Sequence, residues 1–157
     1  MTMEEMLARE AIRATIAAYT AAGDRLRADD LAACFTADGV IETDGVEAAD
    51  GFRYEGRDAI GQWIARWRDR PADAGPVHQA TFVRHHLTTC HIELTGTDSA
   101  RARTYWSAWT DIDPDHAGYY LDSFRREGKH WLIAHRRIRE DWRAPHSLFT
   151  NAVARSC

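Results

Sequence analysis

A net charge of −4, from 20 basic and 24 acidic residues scattered over 157 positions without a basic run, argues against nucleic acid as a partner. With 45% apolar residues and six Trp the chain can fill one ordinary core. It has no apolar run near the roughly 18 residues a membrane span needs and opens on an acidic, amphipathic stretch, so it reads as one cytoplasmic domain with no membrane segment.

The first helix is marked by Thr2-Met3-Glu4-Glu5, which has capping-box spacing. Leu7, Ile12, Ile16 and Tyr19 then keep one helical face apolar as far as Gly23. Asp29 reads as the N-cap of a short helix from Asp30 to about Phe35, and Thr36-Ala37-Asp38-Gly39 as a turn before a strand that opens at Val40. Asp44 to Asp50 lacks a period and reads as a loop or a weak hairpin, with a short returning strand at Phe52-Arg53-Tyr54. Asp58 caps a third helix in which Ile60, Trp63, Ile64 and Trp67 form one apolar stripe, ending near Arg70. After a loop from Pro71 to Pro76, turn signals divide the remainder into strands at about 81–94, 99–111, 119–126 and 130–142, an antiparallel meander.

In the second of these strands Ala100, Ala102, Thr104, Trp106 and Ala108 share a face opposite Arg101, Arg103, Tyr105, Ser107 and Trp109. Small residues around one Trp let a sheet curve over a pocket. The order of elements predicts an α+β fold: a strongly curved antiparallel β-sheet forming a cone, its concave face closed by the first and third helices. Residues 1–142 make this domain, and the tail 143–157, with Leu148, Phe149 and Val153, covers the pocket or a subunit interface. Tyr105 and Trp109 on the outer face predict a homodimer or homotrimer.

The segment Phe82 to Leu94 places His85, His86 and His91 on one strand. Regular alternation puts His85, Leu87, Thr89 and His91 on one face and His86, Thr88, Cys90 and Ile92 on the other. A buried imidazole needs a hydrogen-bond partner, and the distant candidate is Asp24. Taken alone, His85 reads more readily as a satisfied structural histidine, and Asp24 as a turn residue that the negative end of its helix disfavours. An imidazole whose ordinary pKa lies near about 6.5 is, however, suited to proton abstraction near neutrality. His86 and His91 read as outward-facing. No Cys/His cluster, His-x3-His pair or glycine-rich phosphate loop suggests a metal or cofactor. Cys34, Cys90 and Cys157 are odd in number and widely spaced, and read as reduced thiols.

Tyr19-x4-Asp24, the segment from Asp29 to Gly39, Tyr54-x-Gly56-Arg57-Asp58-Ala59-Ile60, Arg84-His85-His86 and Trp131-x-Ile133-Ala134-His135-Arg136, in this order, resemble the SnoaL-like branch of the nuclear transport factor two-like superfamily. The resemblance runs from about Met3 to Trp142 and implies a cone whose mouth accepts a hydrophobic small molecule. Dehydratase and dehydrochlorinase relatives keep an Asp at the place of Asp24 and a His at that of His85, which implies a metal-free, cofactor-free dyad with His85 as base and Asp24 as its orienting acid. The resemblance also puts Tyr19, Arg136 and Trp106 beside substrate. Read by residue type alone, Tyr19 serves equally as a core aromatic, and Arg136 is more often a solvated strand residue. Scytalone dehydratase has a second pocket histidine on the next strand, where this chain offers Tyr105, Trp106 and Trp109, so the acid for a leaving group has no candidate. The implied activity is a lyase of dehydratase type; the alternatives are an isomerase or polyketide-type cyclase on the same dyad, or a non-catalytic binding module.

Overall fold

The computed structural model describes residues 1–44, 51–69, 80–145 and 147. The expected loops over 45–50 and 71–76, the helix end at Arg70, Cys157 and most of the tail lie outside the described residues. Helix α1 runs Met3–Gly23. Its capping box closes as expected: Glu5 N–H donates to Thr2 Oγ1 at 3.1 Å, and Thr2 N–H to the Glu5 carboxylate at 2.7 Å. Ile12, Ile16, Tyr19 and Ala22 form its buried stripe, whereas Leu7, expected on it, is 64% exposed.

Helix α2, Ala28–Ala33, starts before the expected Asp29 cap. Asp29 and Asp30 instead occupy the first turn, where the helix dipole favours carboxylates. Phe35, expected to end that helix, opens strand β1, Phe35–Thr43. The expected turn at Thr36–Gly39 lies inside this strand as a register irregularity. There the chain crowds Gly39 so closely that an added Cβ would sit 2.9 Å from Phe35 Cβ and 3.1 Å from Ile133 O, so glycine marks a close approach and not a turn.

Strand β2 is Phe52–Glu55 and helix α3 Arg57–Arg68. They precede β3, Val83–Leu94, β4, Ser99–Thr110, β5, Pro114–Glu127, and β6, His130–Arg143. The six strands form one sheet in the order β2-β1-β6-β5-β4-β3. The meander is antiparallel as expected, but β1 joins β6 in parallel, a long-range pairing that no hairpin signal announces. Helix α1 packs on β6 and β3, and α3 on β1 and β2, which closes one face of the curled, open sheet. On β4 the expected alternation holds, with Ala100, Ala102, Thr104, Trp106 and Ala108 buried and Arg101, Arg103, Tyr105 and Trp109 exposed.

Two departures from regular alternation matter for the site. On β3 the register shifts between Leu87 and Cys90, which returns Cys90 and Ile92 to the face of His85 and turns His91 outward, as read for it, although regular alternation would put it on the His85 face. Strand β5 begins at Pro114, not near 119, because Asp115 is the extra residue of a bulge between the pairs Trp109–Pro114 and Ala108–His116. That bulge lets the consecutive residues Asp115 and His116 both be buried.

Candidate active site

A cavity of about 940 Å³ lies between the helices and the concave sheet face. Its walls include Phe52 and Tyr54 from β2 and Val83 and His85 from β3, the two strands at opposite ends of the sheet order. Curling of the sheet therefore brings both edges around one space.

Asp24 is the C-cap of α1, where the helix ends against β3. Its carboxylate accepts the backbone N–H of His85 at 3.1 Å and lies 2.6 Å from His85 Nδ1. An ionised carboxylate only accepts, so this contact needs the proton on Nδ1 and leaves the Nε2 lone pair as the basic position. The Asp24 side chain is 9% exposed and that of His85 21%, so the pair is shielded yet the imidazole reaches the cavity. The carboxylate that opposes its helix dipole thus gains two hydrogen bonds from one residue.

A second pair lies beside the first. His116 lines the same cavity, and its Nδ1 is 2.7 Å from Asp115 Oδ2. Ser147 Oγ donates to that same oxygen at 2.5 Å, and all three residues are buried. The His116 ring meets the His85 ring edge to face at 5.5 Å and the Trp106 ring at 5.1 Å. A strand that opens near 119 does not include His116. The overlooked signal is an Asp-His dipeptide immediately before Ala117 and Gly118, small residues that allow a bulged strand close approach. Glu140 and Arg143 also line the cavity as a largely buried bidentate pair at 2.6 and 2.7 Å, and local patterning gave no hint of them.

Of the other expected site residues, Trp106 lies beside His85 at 5.8 Å, with its Nε1–H buried and without an acceptor among the described residues. Tyr19 lines the cavity and packs edge to face on Tyr120 at 5.9 Å. Arg136 does not reach the cavity. It is fully buried and bidentate to Asp122 at 2.8 and 2.7 Å, with its guanidinium 4.0 Å from the Tyr19 ring and 4.1 Å from the Tyr120 ring. Burial opposes its charge, but the Asp122 carboxylate outweighs this and keeps the guanidinium protonated. Burial likewise raises the Tyr19 phenol above its ordinary value, and Arg136 offsets part of that rise. Arg136 is therefore a support beneath Tyr19, and its inward position follows from pairing across β5 and β6, where it faces Asp122. Among the described residues no three metal-ligating side chains cluster, and no helix is long and apolar enough to cross a membrane.

The curled sheet, its covering helices and a cavity walled by buried acids and imidazoles define a small α+β cone of the nuclear transport factor two-like kind. The model of the SnoaL-like domain matches residues 4–137, and the chain belongs to that family. No curated protein sequence matches it. A solved structure described as a putative scytalone dehydratase from Novosphingobium aromaticivorans is similar at 19% identity and a TM-score of 0.74, covering 92% of this chain and 91% of that one. Hexachlorocyclohexane dehydrochlorinase of Novosphingobium barchaimii is similar at 13% identity and 0.72, covering 90% and 92%. A nuclear transport factor two-like protein with a cystatin-like fold, from Novosphingobium aromaticivorans, is similar at 23% identity and 0.67, covering 88% and 85%. At these identities the likeness is one of fold.

Proposed function

We propose that this protein is a lyase of dehydratase type that acts on a hydrophobic small molecule by proton transfer alone. The observation that carries this reading is the pair of carboxylate-held imidazoles, His85 on Asp24 and His116 on Asp115, meeting edge to face on one cavity wall. Neutral His85 takes a proton from carbon through Nε2, and Asp24 stabilises the imidazolium that forms. The electron pair of the broken C–H bond becomes the new C=C bond as the neighbouring C–O bond breaks. His116, steadied by Asp115, serves as the acid and gives a proton to the departing oxygen, so water leaves. A proton then passes from His85 to His116 through solvent and restores both. The buried Nε1–H of Trp106, which has no acceptor among the described residues, is suited to a substrate oxygen.

An isomerase or cyclase could run on the His85 dyad alone. A second imidazole with its own carboxylate favours elimination, which needs both an acid and a base. The presence of the dyads likewise favours an enzyme over a non-catalytic binding module. The reading includes self-association as a dimer or trimer through the outer sheet face, where Tyr105, Trp109 and Leu121 are 40%, 46% and 40% exposed.

The test is a panel of aromatic and alicyclic β-hydroxy ketones, with formation of the conjugated product followed by absorbance. Turnover of at least one member that is lost in His85→Ala, with the circular dichroism unchanged, supports the reading. A panel turned over equally well by wild type and His85→Ala overturns it. Light scattering at micromolar concentration checks the assembly, and a monomeric mass would remove that part.

A further inference from the structure

One wall of the cavity is unlike the rest. Phe52 and Tyr54 alternate onto the same face of β2, and Trp63 and Arg66 lie one helical turn apart on α3, so all four side chains line the cavity together. The rings form a continuous cluster. Phe52 and Trp63 have centroids 4.9 Å apart, Phe52 and Tyr54 5.3 Å, and Tyr54 and Trp63 are stacked at 5.7 Å and 25°. The Arg66 guanidinium lies 5.4 Å from the centre of the Tyr54 ring, and among the described residues no carboxylate pairs with it. Its neighbours in the last turn are spoken for differently, since Arg68 is held by Asp69 at 2.8 Å. His85 and His116 line the same cavity from β3 and β5, strands that do not pair with β2.

A basic residue near a helix C-terminus can be there for the dipole alone. Arg66, however, also lines the cavity at the end of an aromatic surface, and a guanidinium over such a surface is a recognition element for a planar anion. From this arrangement we infer that the substrate is an elongated aromatic or polycyclic carboxylate. Its ring system packs on Phe52, Tyr54 and Trp63, its carboxylate pairs with Arg66, and its reacting carbon lies at the far end, beside His85. The cavity volume of about 940 Å³ is in the range that holds a molecule of two to four rings. The inference rests on reading this cavity as the substrate site and adds the charge and shape of what enters it.

Binding of two non-reacting probes tests this without turnover. These are biphenyl-4-carboxylate and its uncharged isostere biphenyl-4-carboxamide, titrated by calorimetry and by quenching of Trp fluorescence. Wild type should bind the carboxylate about tenfold more tightly than the amide, a preference that shrinks with added salt. Arg66→Gln should lower carboxylate affinity to that of the amide and leave the amide within about twofold, whereas Arg66→Lys should keep part of the preference. Trp63→Ala should weaken both probes together. Equal affinity of wild type for the two probes, an Arg66→Gln effect that is the same on both, or no binding of either at about 1 mM would each overturn the inference. Neither probe has an acidic C–H or a leaving group, so neither can undergo elimination, and these results and the elimination assay fail independently.

Discussion

The imidazole of His116 stands edge to face against that of His85, with ring centroids 5.5 Å apart and planes at 85°. Each ring is tied by Nδ1 to its own carboxylate, and both rings line one cavity. The roles differ by surroundings. Asp24 also binds the His85 backbone N–H, whereas Asp115 is bound by the Ser147 hydroxyl.

His85→Ala should lower kcat/KM by roughly 10² to 10⁴-fold, the range for loss of a positioned base, with the fold intact because the ring is partly exposed. Asp24→Asn should lose about as much, since an amide no longer holds the proton on Nδ1 by charge. His116→Gln should spare substrates with good leaving groups and slow those that expel water. Equal losses on both kinds of substrate, measured in one series, would assign His116 to binding instead.

Asp122→Ala leaves the Arg136 guanidinium buried and uncompensated between Tyr19 and Tyr120. A loss of about 3–5 kcal/mol is expected, read as a lowered urea midpoint. A double change of Asp122 and Arg136 to apolar residues of similar volume should recover much of it.

Gly118 lies where β5 passes a bulge on β6, and an added Cβ there would overlap the carbonyl oxygen of Arg139. Gly118→Ala should therefore destabilise the protein by about 1–3 kcal/mol or more through backbone displacement. It should also disturb His116 two residues away, so the thermal midpoint and the activity should fall together.

Burial pushes the Cys34 thiol up to about 11, with Arg136 lowering it only in part. The value is raised above that of an unfolded thiol, about 8.5, so the stability it contributes is fully present below that pH and is lost as pH rises through about 11. Urea unfolding in reductant should show stability falling over this alkaline range, and the fall should be shallower in Cys34→Ala. Identical slopes would place the thiol in contact with water.

What local patterning determines here is what depends on near neighbours along the chain. The Thr2–Glu5 capping box, the Ile12–Ile16–Tyr19 stripe and the small-residue face around Trp106 repeat at 3.6 or 2 residues, and each is found where its period places it. Asp24 and His85 stand 61 positions apart, and no period links them; a family resemblance and the need of a buried imidazole for a partner are what connect them in the sequence. Only the tertiary structure decided the rest. The parallel joint of β1 to β6, the extra residue at Asp115, the return of Cys90 to the His85 face and the burial of Arg136 against Asp122 all come from pairing between distant strands. A bulge shifts every later side chain by one face, and its position is set by the partner strand's hydrogen bonds, which no window of local sequence contains. That is why His85 could be singled out from its own strand while His116, aimed into the same cavity by a bulge, could not.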